Sequence, residues 1–147
     1  MTDQADRFET IIQKLRDSGH KITPQRMAIV GILAKSEGHP GAEDIHAQIQ
    51  EDFPTMSLAT VYRNILLLKS LGEVLELGFP DGSNRYDGRR PFPHPHLICI
   101  KCKKILDPDL DSLDEMKKEV AAETNFKVLN HRLDFFGICS DCQAKKA

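Results

Sequence analysis

Apolar positions in the first half of the chain recur at helical spacing. A first helix is predicted before Gly19, and a second begins at Thr23-Pro24, since a hydroxyl N-cap followed by proline is a common helix start. A third, short helix ends before Phe53-Pro54, and a fourth has Ser57 as its N-cap and runs to about Leu71. The apolar stripes of these helices are Phe8, Ile11, Ile12 and Leu15; Ile29, Ile32 and Leu33; Ala42, Ile45 and Ile49; Leu58, Val61, Ile65 and Leu68.

The pattern then changes from helices to strands. Val74 to Phe79 alternates, Pro80-Asp81-Gly82 is a turn sequence, and Asn84 to Asp87 is a second short strand, which predicts a β-hairpin. Short helices followed by a hairpin are typical of a winged helix-turn-helix domain, with the fourth helix as reader and the hairpin as wing. We place this domain at residues 1–88, followed by a hinge at 89–95, a stretch that comes directly after Gly88 and contains three prolines.

The remainder, 96–147, has the pattern of a second small domain. Short strands are predicted at Leu97 to Ile100 and Lys104 to Leu106, and a helix from about Leu110 to Thr124. A long final strand is predicted from the alternation of Leu129, His131, Leu133 and Phe135. The expected fold class is α+β: an N-terminal winged helix-turn-helix domain plus a small C-terminal α/β domain whose apolar last strand suits pairing with a second copy.

The open side of the fourth helix carries small, hydroxyl, aromatic and basic side chains near its N-terminus: Ala59, Thr60, Tyr62 and Arg63. Such side chains suit phosphates and the thymine methyl in a major groove. On periodicity alone, an ordinary amphipathic helix is the simpler interpretation.

Charge changes this picture only slightly. The net charge is -2, with 29% charged residues, so the overall balance gives no signal for nucleic acid. Two stretches, Gly19 to Ser36 and Ser57 to Gly72, contain basic residues and no acids, which is modest support for DNA binding. No apolar run approaches the roughly 20 residues of a membrane span. Residues 1–17 carry charge throughout, so we expect no secretory leader and a cytoplasmic location.

The four cysteines form two CxxC pairs, Cys99 with Cys102 and Cys139 with Cys142. Two such turns supply the four thiolates of a closed, tetrahedral zinc site. Disulfides and a redox dithiol are the alternatives. A reducing compartment argues against disulfides, and a dithiol would leave one pair unexplained.

Six separate stretches resemble the ferric uptake regulator (Fur) superfamily of bacterial metal-dependent repressors, in the family's order and over nearly the whole chain. They are HKITPQR from His20, HPGAEDI from His39, SLATVYRNI from Ser57, Asn84 to Asp87, HPHLICIKC from His94, and HRLDFFGICSDC from His131. The resemblance implies a homodimer that binds double-stranded, pseudo-palindromic operator DNA through its N-terminal domains and dimerises through its C-terminal domains.

The resemblance also implies two metal sites. It assigns structural zinc to the four cysteines and a regulatory metal to five residues, His39, Asp87, His94, His96 and Asp107. This second set contains nitrogen and oxygen but no thiolate, which suits Fe(II) or Mn(II). DNA contacts would fall on Lys21, Tyr62 and Arg63, to which the residue pattern adds Thr60.

Several of these residues have simpler interpretations when taken singly. His94 and His96 could support the zinc site from outside its ligand shell, and Asp87 could pair with Arg85 or Arg89. His39 could have only a structural role in the turn that contains it. His46 lies in a charged helix, and we expect it to be a solvated surface residue.

Asp107 indicates which subgroup the chain is most like. By the resemblance, peroxide-sensing PerR proteins carry aspartate there and iron-sensing Fur proteins usually glutamate, and peroxide would oxidise His39 and His94. Prolines flank His94, where many Fur proteins have ligands of an auxiliary metal site. His131 and Glu115 would be what remains of that site, although a histidine on an apolar strand face is more often structural.

The sequence therefore predicts a metal-dependent repressor that responds to peroxide through bound Fe(II), and not an enzyme. The alternative is an iron-sensing Fur-type repressor that responds to metal availability. A zinc deaminase is disfavoured, because no HxE element is present and Ile98 precedes Cys99 where a PCxxC would have proline. A zinc-ribbon interaction module without DNA binding is a third hypothesis.

Overall fold

A computed structural model describes residues 3–36, 38–79 and 81–145. It divides the chain into two compact units, Met1–Phe92 and Pro93–Ala147, and this boundary falls inside the predicted hinge. Within the described residues, no helix combines the length and the apolar character needed to cross a membrane.

The first unit contains four helices and a hairpin. The N-caps predicted from sequence are both present: the Thr23 hydroxyl accepts a hydrogen bond from the Arg26 N–H at 3.1 Å, and the Ser57 hydroxyl accepts one from the Thr60 N–H at 3.1 Å. Each cap satisfies an amide that the first helical turn leaves without a partner. The elements are α1 (Asp3–Asp17), α2 (Pro24–Lys35), α3 (Ala42–Ile49), α4 (Leu58–Ser70), β1 (Leu75–Leu77) and β2 (Arg85–Asp87).

Strands β1 and β2 pair antiparallel, with Leu75 opposite Asp87 and Leu77 opposite Arg85. In the connecting turn, Gly82 has φ 83°, a left-handed conformation that glycine adopts at little cost. Pro80, which the sequence placed in this turn, lies outside the described residues. Four helices followed by this hairpin confirm the winged helix-turn-helix prediction for the first unit.

The predicted apolar stripes meet in one continuous core. Fully buried side chains from all four helices contribute to it, including Ile11, Ile29, Ile45 and Ile65, and Tyr86 of β2 joins them at 2% exposure. Burial of this apolar surface is the main favourable contribution to the folding of the unit.

The expectation for His46 was wrong. This α3 side chain is half-buried, and its Nε2 lies 2.8 Å from the Met56 carbonyl oxygen. The turn that precedes α4 supplies this contact, and the charged neighbours of His46 in sequence give no sign of it.

The second unit is a small α+β domain, as predicted. Its three strands lie in the order β4-β3-β5, with β3 antiparallel to β4 and parallel to β5. The elements are β3 (His96–Cys99), β4 (Ile105–Leu106), α5 (Leu113–Thr124), β5 (Asp134–Gly137) and α6 (Ser140–Ala144).

The last strand is shorter than predicted. It begins at Asp134, opposite His96, so Leu129 and His131 lie before it. Proline provides a physical reason, because Pro93 and Pro95 precede β3 and lack the N–H groups that a longer ladder would require.

Candidate metal centres and nucleic-acid interface

The four cysteines converge at one end of the second unit. Cys99 ends β3 and Cys102 lies in the following turn, while Cys139 is the N-cap of α6 and Cys142 lies within that helix. All four are free thiols whose sulfur atoms lie within 4.8 Å of one another. The sulfurs of Cys102 and Cys139 are 3.7 Å apart, close to the roughly 3.8 Å between vertices of a tetrahedron with Zn–S bonds of about 2.3 Å.

Backbone amides favour the thiolate form of one cysteine in this cluster, which is the form that binds a metal cation. The N–H groups of Cys102 and Cys139, 3.5 and 3.4 Å from the Cys99 sulfur, lower the pKa of that thiol to about 5. The pKa of Cys142 is raised to about 12, chiefly through its hydrogen bond with the sulfur of Cys139. One thiolate therefore forms readily, and the remaining protons are released when a metal binds. The donor set and its geometry fit a closed structural zinc site.

The first unit contributes one histidine and one carboxylate to the predicted regulatory set. His39 and Asp87 are buried, and His39 Nε2 lies 3.3 Å from Asp87 Oδ2. The other carboxylate oxygen, Oδ1, accepts hydrogen bonds from the N–H groups of Arg89 and Arg90, each at 2.9 Å. These bonds orient the Asp87 carboxylate with Oδ2 toward the imidazole.

The second unit brings together the other three residues of that set. His94 Nε2 lies 3.4 Å from Asp107 Oδ2, and His96 Nε2 lies 3.8 Å from Asp107 Oδ1. Both imidazoles are almost fully buried, and their ring centroids are 4.4 Å apart. Two nitrogen donors and a carboxylate that face one another in this way fit Fe(II) or Mn(II) better than a soft metal.

Three of the four residues predicted to contact DNA, Thr60, Tyr62 and Arg63, lie near the start of α4. The Thr60 hydroxyl bonds with the Ser57 hydroxyl at 3.0 Å and accepts a hydrogen bond from Arg63 Nη2 at 2.9 Å. Tyr62 and Arg63 are exposed, as is Lys21 in the segment before α2. Basic, hydroxyl and aromatic groups therefore remain available to an anionic partner.

Comparison with known proteins decides the family. A sequence model described as "Ferric uptake regulator family" matches residues 17–136. The chain belongs to the ferric uptake regulator family. The peroxide-responsive repressor PerR of Staphylococcus saprophyticus is 41% identical to it over 138 residues, which is 94% of this chain and 93% of the relative. The family resemblance identified from the six sequence stretches is confirmed.

Two solved structures of this family are similar to the chain. The ferric uptake regulator of Helicobacter pylori has a TM-score of 0.83 at 24% identity and covers 98% of this chain and 96% of its own, which supports the fold alone. PerR of Streptococcus pyogenes is 35% identical with a TM-score of 0.52, and the match covers 92% of each chain.

Sequence reasoning missed two residues that orient side chains or backbone at these candidate sites. Asp134, at the start of β5, places Oδ1 3.6 Å from His96 Nδ1 and accepts a hydrogen bond from Arg132 at 2.7 Å through Oδ2. A carboxylate on the far side of a ligand imidazole fixes the ring and raises its basicity. The acidic residue within an otherwise apolar strand was the available signal.

The second missed residue is Arg26 of α2. Its Nη1 donates to the Lys21 carbonyl at 2.6 Å, and its Nε donates to Asn64 Oδ1 at 2.8 Å. Asn64 is 8% exposed and also donates to the Thr60 carbonyl. Arg26 thus links the segment that carries Lys21 to α4. A polar residue beside the α4 apolar stripe was the signal for this contact.

His131 and Glu115 do not form a cluster of three or more potential metal ligands in the described part of the chain. Glu115 is exposed on α5, whereas His131 is half-buried. Burial, followed by the charge of Lys117, lowers the pKa of His131, so its neutral form is favoured. An auxiliary metal site at these residues therefore stays a hypothesis from the sequence.

Proposed function

We propose that this protein is a metal-dependent transcriptional repressor that binds DNA and responds to peroxide. The observation that carries the proposal is the separation of two donor sets: four sulfurs in one cluster, and only nitrogen and oxygen donors among His94, His96 and Asp107. Ligand softness sorts metals between such sets. Membership of the ferric uptake regulator family and the 41% identical relative named as a peroxide-responsive repressor support the same function.

In this proposal the two sites have different roles. Cys99, Cys102, Cys139 and Cys142 hold structural Zn(II). The pair His39 and Asp87 of the first unit and the group His94, His96 and Asp107 of the second bind a single regulatory Fe(II) or Mn(II) ion. Shared ligation restricts the two units to the arrangement that DNA binding requires, because a ligand that prefers one arrangement shifts the population toward it.

When bound, Fe(II) would activate peroxide, so that one peroxide oxygen would be added to a neighbouring imidazole and the other would leave as water. The chain contributes the imidazoles that are oxidised, His39 and His94, and the carboxylate of Asp107. Oxidation of either imidazole weakens the regulatory site and releases DNA. The alternative is an iron-sensing repressor of the Fur type, which releases DNA when metal is withdrawn and not when peroxide is added.

DNA binding is assigned to Lys21, Thr60, Tyr62 and Arg63. Two copies of the chain, paired through their second units, place two reader helices on a pseudo-palindromic operator in the cytoplasm. The exposed apolar side chains of the second unit support this pairing, among them Phe136 at 61% exposure and Leu129 at 81%.

Peptide mass spectrometry of zinc-loaded protein tests the proposal. The protein is given Fe(II) and then peroxide, with an Mn(II)-loaded sample as the control. We expect one added oxygen on His39 or His94, only with iron, together with loss of operator binding in a gel-shift assay. Absence of the added oxygen, with iron shown to be bound, would favour the iron-sensing alternative. Absence of duplex binding even with Mn(II) would favour an interaction module that does not bind DNA.

A further inference from the structure

The segment Asn84 to Asp87 contributes only its aspartate to the proposed metal site, yet its arginine makes unusual contacts. Arg85 lies on β2, and its Nε donates a hydrogen bond to the carbonyl oxygen of His39 while Nη2 donates to that of Gly38. The two partners are consecutive residues in the turn between α2 and α3. A side chain of the wing therefore holds the backbone that carries a predicted metal ligand.

His39 adopts a backbone conformation that its sequence does not favour. Its φ is 54°, in the left-handed region that residues other than glycine seldom occupy. The next residue is Pro40, and a residue before proline prefers extended backbone. Contacts from outside the turn must stabilise this conformation.

The position of Arg85 matches that requirement. The peptide plane between residues 38 and 39 sets φ of His39, and the plane between residues 39 and 40 sets ψ. Arg85 donates to the carbonyl oxygens of both planes, and its planar guanidinium presents its donors in a fixed fork. One side chain thereby restricts both dihedral angles of His39 and the direction of its Cβ.

The two residues that follow Arg85 in sequence complete the contact with the turn. The Tyr86 N–H donates to the Pro40 carbonyl at 2.9 Å, and the Asp87 carboxylate faces the His39 imidazole at 3.3 Å. Backbone and side-chain contacts from three successive residues of β2 thus fix the turn. These contacts place the Asp87 carboxylate and the His39 imidazole next to each other.

We infer that Arg85 is a positioning residue for the regulatory metal, because its fork on the Gly38 and His39 carbonyls aims the His39 imidazole. The inference rests on the proposed function, in which His39 is a ligand. Residues that orient metal ligands without touching the metal typically change metal affinity about 10- to 100-fold when replaced.

The test is the Mn(II) affinity of zinc-loaded protein, measured by competition with a fluorescent chelator. Arg85→Met keeps most of the aliphatic stem and removes the donors, and we expect it to weaken Mn(II) binding about 10- to 100-fold. Arg85→Lys retains one cationic donor without the fork, so an intermediate affinity is expected. Arg16→Met, which removes an exposed arginine from the last turn of α1, is the matched control and should bind like the wild type.

A second readout separates positioning from general damage. Fe(II) and peroxide should give a lower ratio of oxygen added on His39 to oxygen added on His94 in Arg85→Met than in the wild type, whereas zinc content and circular dichroism stay the same. Wild-type affinity with an unchanged ratio would overturn the inference. If Arg85→Met loses zinc or unfolds, the test uses Arg85→Lys instead. An Mn(II) affinity of Arg85→Lys equal to that of the wild type would then overturn the inference. If His39→Ala itself leaves Mn(II) affinity unchanged, the proposed site is wrong and this inference is overturned with it.

Discussion

The two units of the chain are stabilised in different ways. The first has one continuous core of sixteen buried apolar side chains drawn from its helices and hairpin. In the described part of the second, apart from Pro95, three apolar side chains are buried, Ile98, Cys99 and Ile105. Helix α5 has no buried residue, and its Met116 and Val120 are each about half exposed.

This difference shows where each unit obtains its stability. A domain of about 55 residues has little core of its own and usually needs a metal, disulfides or a partner subunit. The second unit has a four-cysteine cluster and a broad exposed apolar surface in place of a core. We expect zinc and a second copy of the chain to supply what the first unit obtains from its own packing.

Removal of zinc should have the largest effect. Structural zinc contributes about 10 kcal/mol or more to the folding of small zinc domains. We therefore expect Cys99→Ser, or a strong chelator, to abolish the cooperative unfolding of the second unit while the helical transition of the first unit remains. Amide hydrogen exchange resolved by peptide measures both at once. Ser140→Ala, at the first residue of α6 and between two cysteines, is the control. Equal loss of protection in both units would contradict the comparison.

A cavity in the core of the first unit should destabilise that unit and leave the second unit unchanged. Ile65 of α4 is fully buried, and replacing a buried isoleucine with alanine typically costs about 2–5 kcal/mol. Ile65→Ala should lower the free energy of unfolding of the first unit by that amount, which is measured from the shift of its denaturation midpoint. Zinc content, and the protection of amides in 96–145, should not change. Loss of zinc from this variant would show that the two units do not fold separately.

The dependence on a second copy can be tested at β5, which is one of the two edge strands of the described sheet. Phe136→Asp places a charge on a surface that we expect to be buried in the dimer, and should weaken dimerisation about 100-fold, or about 3 kcal/mol. Sedimentation over a concentration range measures this. Leu66→Asp is the matched control, because Leu66 is 53% exposed but lies on α4. A dimer of unchanged strength in Phe136→Asp would show that pairing uses another surface.

The features that could be predicted from sequence are those that neighbouring residues determine. The helix starts at Thr23 and Ser57 depend on a hydroxyl that accepts a hydrogen bond from an amide in the next turn. Neighbouring residues are therefore sufficient to predict them. The cysteine pairs are equally local. The predicted start of β5 was wrong because the strand begins only where its partner β3 begins, after Pro93 and Pro95, and that partner lies far away in the sequence.

Positioning residues were missed for a related reason. Arg85 acts on a carbonyl 46 residues away, and its sequence neighbours indicate only a short strand. His46 was assigned to the surface because the Met56 carbonyl that it meets belongs to a later turn. Tertiary contacts of this kind leave no pattern in the sequence. Candidate metal ligands, in contrast, can be recognised from their residue types and spacing.

The smallest expected effect concerns Asp134, which lies in the weakly packed unit and contacts His96. Asp134→Asn removes the negative charge beside Nδ1 but keeps an acceptor oxygen, so the ring is less firmly oriented and less basic. We expect Mn(II) affinity, measured by chelator competition, to fall about tenfold, the low end for such partners, with zinc content unchanged. Asp141→Asn, at an exposed carboxylate between two cysteines, controls for the lost charge. An unaltered affinity in Asp134→Asn would mean that packing alone orients His96, and that the second unit is more rigid than its small core indicates.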